Sequence, residues 1–140
     1  MNVGCVFCEI VCGAEPASVV WEDELTMAFM DRRQFHPGLT LVIPRQHVGD
    51  VRELDRKTGA ALMDSLARIT RAVGVAFPNQ GLSLWHSIGE AADQEIPHLH
   101  IHVHARMLDA HLLRVYPSVA AEPDTLLRDK YAAALRSRLG

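Results

Sequence analysis

The sequence predicts an α+β fold, on three observations: several short β-patterned segments, one long amphipathic helical pattern between them, and no regular strand-helix alternation of the kind that builds a doubly wound sheet. The 140 residues, 49% hydrophobic and 22% charged, suit a single core, so residues 1–140 are read as one domain. Fourteen basic against seventeen acidic residues give a formal charge of -3, which excludes bulk attraction to nucleic acid or an anionic membrane. Any anionic ligand therefore needs a local site. No apolar run reaches the roughly 20 residues that span a bilayer, and Met1 to Cys5 lack the basic end and apolar stretch of a secretory signal. The expected location is cytoplasmic.

Taken in order, Cys5, Cys8 and Cys12 crowd the start, an odd count at spacings that suit a metal clip better than a disulfide framework. Val19 to Trp21 and Leu25 to Asp31 read as two strands around the acidic turn Glu22-Asp23-Glu24, a hairpin. After the turn His36-Pro37-Gly38, the run Leu39 to Ile43 reads as a buried strand that Pro44 stops, with His47 just beyond. From Asp55 to Ala76 the apolar residues Leu62, Leu66, Ile69, Val73 and Ala76 recur at helical spacing, and Asp55 is the N-cap. Pro78 to Gly81 is a turn, after which Leu82, Leu84 and Ile88 mark a strand passing Trp85 and His86. Gly89 to Pro97 reads as a loop, His98 to His104 as a strand, and Asp124 to Leu135 as a short C-terminal helix.

The histidines carry the chemistry. His98, His100, His102 and His104 alternate with Leu99, Ile101 and Val103, so a strand there places four imidazoles on one face. Residues two apart on a strand are separated by almost 7 Å, from a rise of about 3.3 Å per residue, which favours a row of donors for an extended anion over a compact metal cage. Imidazole is also a nucleophile near neutral pH, its unperturbed pKa being about 6.5. Cys5-Val6-Phe7-Cys8 has knuckle spacing, which fits either half of a metal site or two reduced thiols.

The segment Ser87 to Pro97 followed by His-Leu-His-Ile-His resembles the signature of the histidine triad superfamily of nucleotide hydrolases and transferases. Ala28-Phe29-Met30-Asp31 and Pro37 to His47 extend the resemblance upstream, so that it covers about residues 5–106. It implies an antiparallel sheet with one long helix, a homodimer, and cleavage at the α-phosphate of purine nucleotide conjugates, either phosphoramidates or dinucleoside polyphosphates. Counted from Gln94, the triad is His98, His100 and His102, and His104 falls outside it. The resemblance makes His100 the nucleophile, supported by His98, while His102 and Gln94 hold phosphoryl and leaving-group oxygens. Asp31 is matched to the ribose, Phe7, Ile10 and Phe29 to the base slot, and Ser87 to a further nucleotide contact. It also implies a structural zinc on Cys5, Cys8, His47 and His98 and no catalytic metal.

Two positions depart from the family pattern: Leu39 stands where a supporting His is usual, with His36 the candidate to replace it, and Asp93 stands where Gly is usual. These departures leave as an alternative a catalytically weak, zinc-stabilised nucleotide-binding module, and the four-histidine strand leaves a further one, a metal-handling protein. Arg32, Arg33, Arg45 and Arg106 could draw a polyphosphate toward the site but are read as surface solvation, and Trp85 as core or a dimer contact.

Overall fold

The computed structural model describes residues 4–109 and 118–139, which fall into two units, Met1–Ala110 and His111–Gly140. The first unit holds a five-stranded antiparallel sheet: β1 (Val19–Glu22), β2 (Thr26–Met30), β3 (Thr40–Pro44), β4 (Gly81–Trp85) and β5 (Ile101–Arg106), in the order β1-β2-β3-β5-β4. A six-residue helix α1 (Val6–Val11) precedes the sheet, and α2 (Arg56–Ala76) joins β3 to β4. The second unit contains α3 (Thr125–Arg136), capped by Asp124, whose side chain accepts from Leu127 N.

Period-two patterning sorts the strand residues to two cores. Ala28, Val42, Val103 and Ala105 form one core with Leu62, Leu66, Ile69 and Val73 of α2. Their sequence neighbours Met27, Phe29, Leu41 and Ile43 form a second core with Cys5, Phe7 and Cys8 at α1. The register Leu41↔His102 and Trp85↔His102 puts the β5 histidines on the α1 side of the sheet.

Helix α2 begins where Asp55 accepts a 2.7 Å hydrogen bond from Thr58 N, as its N-cap pattern predicts. Its buried stripe differs from the apolar reading at two kinds of position. Ala76 is exposed, whereas Thr58 and Ser65 are buried. Ser65 is tolerated because its hydroxyl bonds Thr26 Oγ1 at 2.7 Å and donates to Asp23 Oδ2 at 3.1 Å, which leaves no polar atom stranded under the helix. Gly38, at φ +105°, turns the chain into β3 where a Cβ would lie 2.5 Å from the Phe77 ring, so a side chain is excluded twice over.

Three strands are shorter than their sequence patterns, and a fourth is displaced. β2 runs only from Thr26 to Met30, and β3 is shifted by one residue to include Pro44, which pairs with Thr26 instead of stopping the strand. β4 ends at Trp85, so Ile88 is not part of it, and ladder pairing in β5 begins at Ile101, three residues after His98. Pro97 and the turn in which His98 N donates to Ile96 O divert the backbone there, and Leu99 N donates to Val48 O instead of to a strand. The alternation of side chains nevertheless continues upstream, with Leu99 buried in the α2 core and His98 and His100 directed to the opposite side.

Candidate functional site

Two groups of side chains meet along the histidine run. The first is the metal set. Cys5 is the N-cap of α1 and Cys8 lies one turn in, so the spacing of three brings both thiols to one side. Cys5 Sγ lies 3.5 Å from His98 Nδ1, Cys8 Sγ lies 3.3 Å from His47 Nδ1 and 3.6 Å from His98 Nδ1. All four ligand atoms lie within 4.8 Å of one another. Zinc bonds of about 2.3 Å to sulfur and 2.0 Å to nitrogen, set at a tetrahedral angle, require N···S edges of about 3.5 Å, which these separations match.

The protonation states fit as well. His98 Nε2 donates to Pro44 O at 2.9 Å, which leaves the lone pair on Nδ1 facing the thiols. Burial pushes the Cys5 thiol up, so a thiolate there calls for a cation beside it. Cys5, Cys8, His47 and His98 could hold a metal ion, and the donor set suits zinc in a closed structural role.

The second group is the row of rings. His100 Nδ1 donates to His98 O at 2.7 Å, which commits that nitrogen and places the ring's lone pair on Nε2. The His102 ring centroid is 5.1 Å from that of His100, and His102 stacks on Trp85 at 4.5 Å and 6°. Burial, and then the nearby His100, push the His102 pKa down to about 4, so this ring is neutral at pH 7. Trp85 is a contact whose partner the sequence did not reveal; its period-two register on β4, opposite His102, was the available signal.

The remaining candidates divide. Phe7 and Phe29 meet edge to face at 5.4 Å, and Phe7 stands 5.1 Å from the His100 ring, with Ile10 packed against the same cluster. These three are brought together beside the histidines. Asp31 Oδ1 accepts from Arg33 N at 2.9 Å, and no described residue takes the other carboxylate oxygen. Ser87 is half-buried and makes no hydrogen bond among the described residues.

Gln94 spends both ends of its amide on backbone: Oε1 accepts from Gly89 N at 2.9 Å, and Nε2 donates to Gly49 O at 3.0 Å and Ile96 O at 3.3 Å. In this arrangement it shapes the loop leading to His98. To reach a ligand it would have to release one of those bonds.

The departures from the family pattern also have a structural setting. Asp93 adopts φ 63°, ψ 32°, the left-handed conformation that glycine enters freely and that Asp tolerates better than most residues, and its side chain is exposed. Leu39 is buried and contributes no polar atom. His36 is not at the triad: its Nε2 lies 2.8 Å from Pro78 O, and its ring is 6.3 Å from that of His104. His104 is 2% exposed, and neither ring nitrogen has a hydrogen-bond partner among the described residues.

Residues 13–108 match the HIT domain family. The chain is 36% identical over 99 residues to the protein hit of Bacillus subtilis, spanning 71% of this chain and 68% of that one. It is 28% identical over 125 residues to the adenosine 5'-monophosphoramidase hnt1 of Schizosaccharomyces pombe, spanning 89% and 91%. A solved structure from Streptococcus mutans superimposes with a TM-score of 0.92 at 32% identity, covering all of this chain and 88% of that one. With five antiparallel strands and the His-x-His-x-His run in place, this likeness over two thirds of its length makes the chain a member of the HIT family.

Proposed function

We propose that this chain hydrolyses or transfers purine nucleotide conjugates by attack at the α-phosphate, with His100 as nucleophile. The observation that carries the reading is the 2.7 Å bond from His100 Nδ1 to His98 O, because it leaves Nε2 as the basic, attacking atom. In the first displacement the Nε2 lone pair forms an N–P bond while the bond from phosphorus to the leaving group breaks, its electron pair departing with that group. Water then attacks the nucleotidyl-histidine, releasing the nucleotide and restoring the imidazole. His102 is neutral at pH 7, so it serves by hydrogen bonding to the phosphoryl oxygens, and a donor placed where charge develops is worth about 3 kcal/mol.

Asp31 receives the ribose hydroxyls, Phe7, Ile10 and Phe29 flank the base, and Ser87 adds a polar contact. Cys5, Cys8, His47 and His98 hold a structural zinc, which contributes folding energy and anchors α1; no chemical step passes through it. The name of the Schizosaccharomyces pombe relative, an adenosine 5'-monophosphoramidase, supports an adenylate as the substrate class. Action as a homodimer in the cytoplasm belongs to the same reading, and two zinc-binding thiols suit a reducing compartment. All the residues with roles here lie in the first unit.

The test is direct. Incubation with a cleavable adenylate conjugate, a quench in base and intact-protein mass measurement should reveal a nucleotidyl adduct in the wild type and none in His100→Ala. An adduct that survives His100→Ala would refute the assignment of the nucleophile. The commitment of both ends of Gln94 to backbone favours a second reading, a nucleotide receptor with little turnover, which predicts AMP binding without product release.

A further inference from the structure

Arg33 and Glu95 are 62 positions apart in the chain, yet their side chains meet two on two, NH2 to Oε2 at 3.0 Å and NH1 to Oε1 at 3.4 Å. Each end of this pair is tied to a segment that carries candidate site residues. Arg33 donates its backbone N–H to Asp31 Oδ1 at 2.9 Å, so the guanidinium and the carboxylate matched to the ribose share one turn after β2. Glu95 lies between Gln94 and Ile96, three residues before His98, in the loop that feeds the histidine run. The pair thus clasps the segment after β2 to the segment before the histidines. It also lies within electrostatic reach of the ring row, since Asp31 raises and Arg33 lowers the proton affinity of His102.

Two physical features make this clasp suited to opening. Both side chains are mostly exposed, at 59% and 65%, a setting in which an ion pair adds little stability and is screened by salt. Arginine, however, presents a planar fork that grips phosphate oxygens in pairs as readily as it grips a carboxylate. A phosphate near this turn would compete with Glu95 for the same donors, and a terminal phosphate carries more charge than the carboxylate it displaces.

We propose that Arg33 and Glu95 form an exchangeable latch, in which a negatively charged leaving group displaces Glu95 from the Arg33 guanidinium and is held by it. The latch selects conjugates whose leaving group carries phosphate over those that release an uncharged amine. It rests on the nucleotide reading of the site and deepens it: Glu95 sets a threshold that only an anion can exceed, while Arg33 supplies the contact beyond the α-phosphate. Arg32, one residue earlier, is exposed and has no partner among the described residues, which makes it the natural control for loss of charge alone.

The experiment is calorimetric titration of the full chain with AMP and with ADP, whose second phosphate stands in for the first atoms of a charged leaving group. The wild type should bind ADP more tightly than AMP. Arg33→Gln should collapse that preference by about tenfold, the scale of a charge-assisted hydrogen-bonded pair, Glu95→Gln should enlarge it, and Arg32→Gln should leave the ratio as in the wild type. An ADP-to-AMP ratio that is indifferent to Arg33, or that falls equally in Arg32→Gln, would overturn the latch while leaving the nucleotide site standing. Failure of the wild type to bind either nucleotide would overturn the nucleotide reading and the latch with it.

Discussion

Replacing Cys8 by Ala probes the metal set with least disturbance elsewhere, because the side chain is small and its sulfur is aimed at His47 and His98, 3.3 Å and 3.6 Å away. Two effects add. Loss of one thiolate lowers ion affinity, and the buried Cys5 and His98, with the half-buried His47, keep their ligand atoms facing a gap. A ligand present at a thousand times its dissociation constant stabilises the folded state by about 4 kcal/mol, a level that structural zinc sites reach readily. For a unit of this size, 1 kcal/mol moves the melting temperature by about 4 °C or more, so loss of the ion should lower it by about 15 °C.

The assay is thermal unfolding with and without a strong chelator, together with metal content by elemental analysis. The wild type should carry one zinc per chain and lose about 15 °C on chelation. Cys8→Ala should begin near the chelated wild type and respond little further. A wild-type protein that purifies without zinc, refuses added zinc and melts at the same temperature in chelator would refute the reasoning, whatever the four ligand atoms' proximity.

Three further outcomes are expected. Burial holds both His102, at about 4, and His104 below the ordinary imidazole value of 6.5, so the unfolded chain binds protons that the folded chain refuses. Stability is then complete above pH 6.5 and is lost as pH falls toward 4. Melting curves between these limits should show a shallower decline in His104→Leu than in the wild type, and an identical slope would contradict the assignment. Asp55→Ala should cost about 1 kcal/mol by freeing Thr58 N at the start of α2, read by denaturant titration. Trp85→Ala should remove a stacked ring worth about 1 kcal/mol and rehydrate His102, raising its titration midpoint by nuclear magnetic resonance; a midpoint that stays put would show that the stack does not govern it.

How far the sequence carried can be read residue by residue. Strong periodicities survived: the α2 stripe from Leu62 to Val73 and the alternation of His98 to His104 both appear as side-chain directions. What failed were boundaries and short elements. Helix α1 has six residues, too few to be stable by propensity, and exists because Cys5 caps it and Phe7 and Cys8 are buried. The start of β5 moved because Leu99 N bonds Val48 O, a partner 51 positions away that no local pattern announces. The buried hydroxyl of Ser65 was invisible for the same reason, since Asp23 and Thr26 lie on the far side of the chain from it in sequence. His36, plausible across its turn as a substitute at Leu39, is drawn instead to the carbonyl of Pro78.

The candidate site itself turns on His98, which joins the candidate metal set to His100, the proposed nucleophile, through one residue. Its Nδ1 faces Cys5 and Cys8, its Nε2 bonds Pro44 O, and its backbone carbonyl accepts from His100 Nδ1, all within a side chain of zero exposure. With a metal ion on Nδ1 as well, the ring would be held at both nitrogens, and a backbone locked to such a ring presents its carbonyl in one direction. The lone pair on His100 Nε2 is therefore set by contacts made two residues away, on the far side of the peptide. On the proposed function, a cation held by Cys5, Cys8, His47 and His98 would act on the chemistry without meeting the phosphate, by fixing the acceptor that fixes the tautomer. It also explains why the Cys-x-x-Cys pair lies at the N-terminus of α1, where one short helix delivers both thiols to His98 and the Phe7 ring to His100.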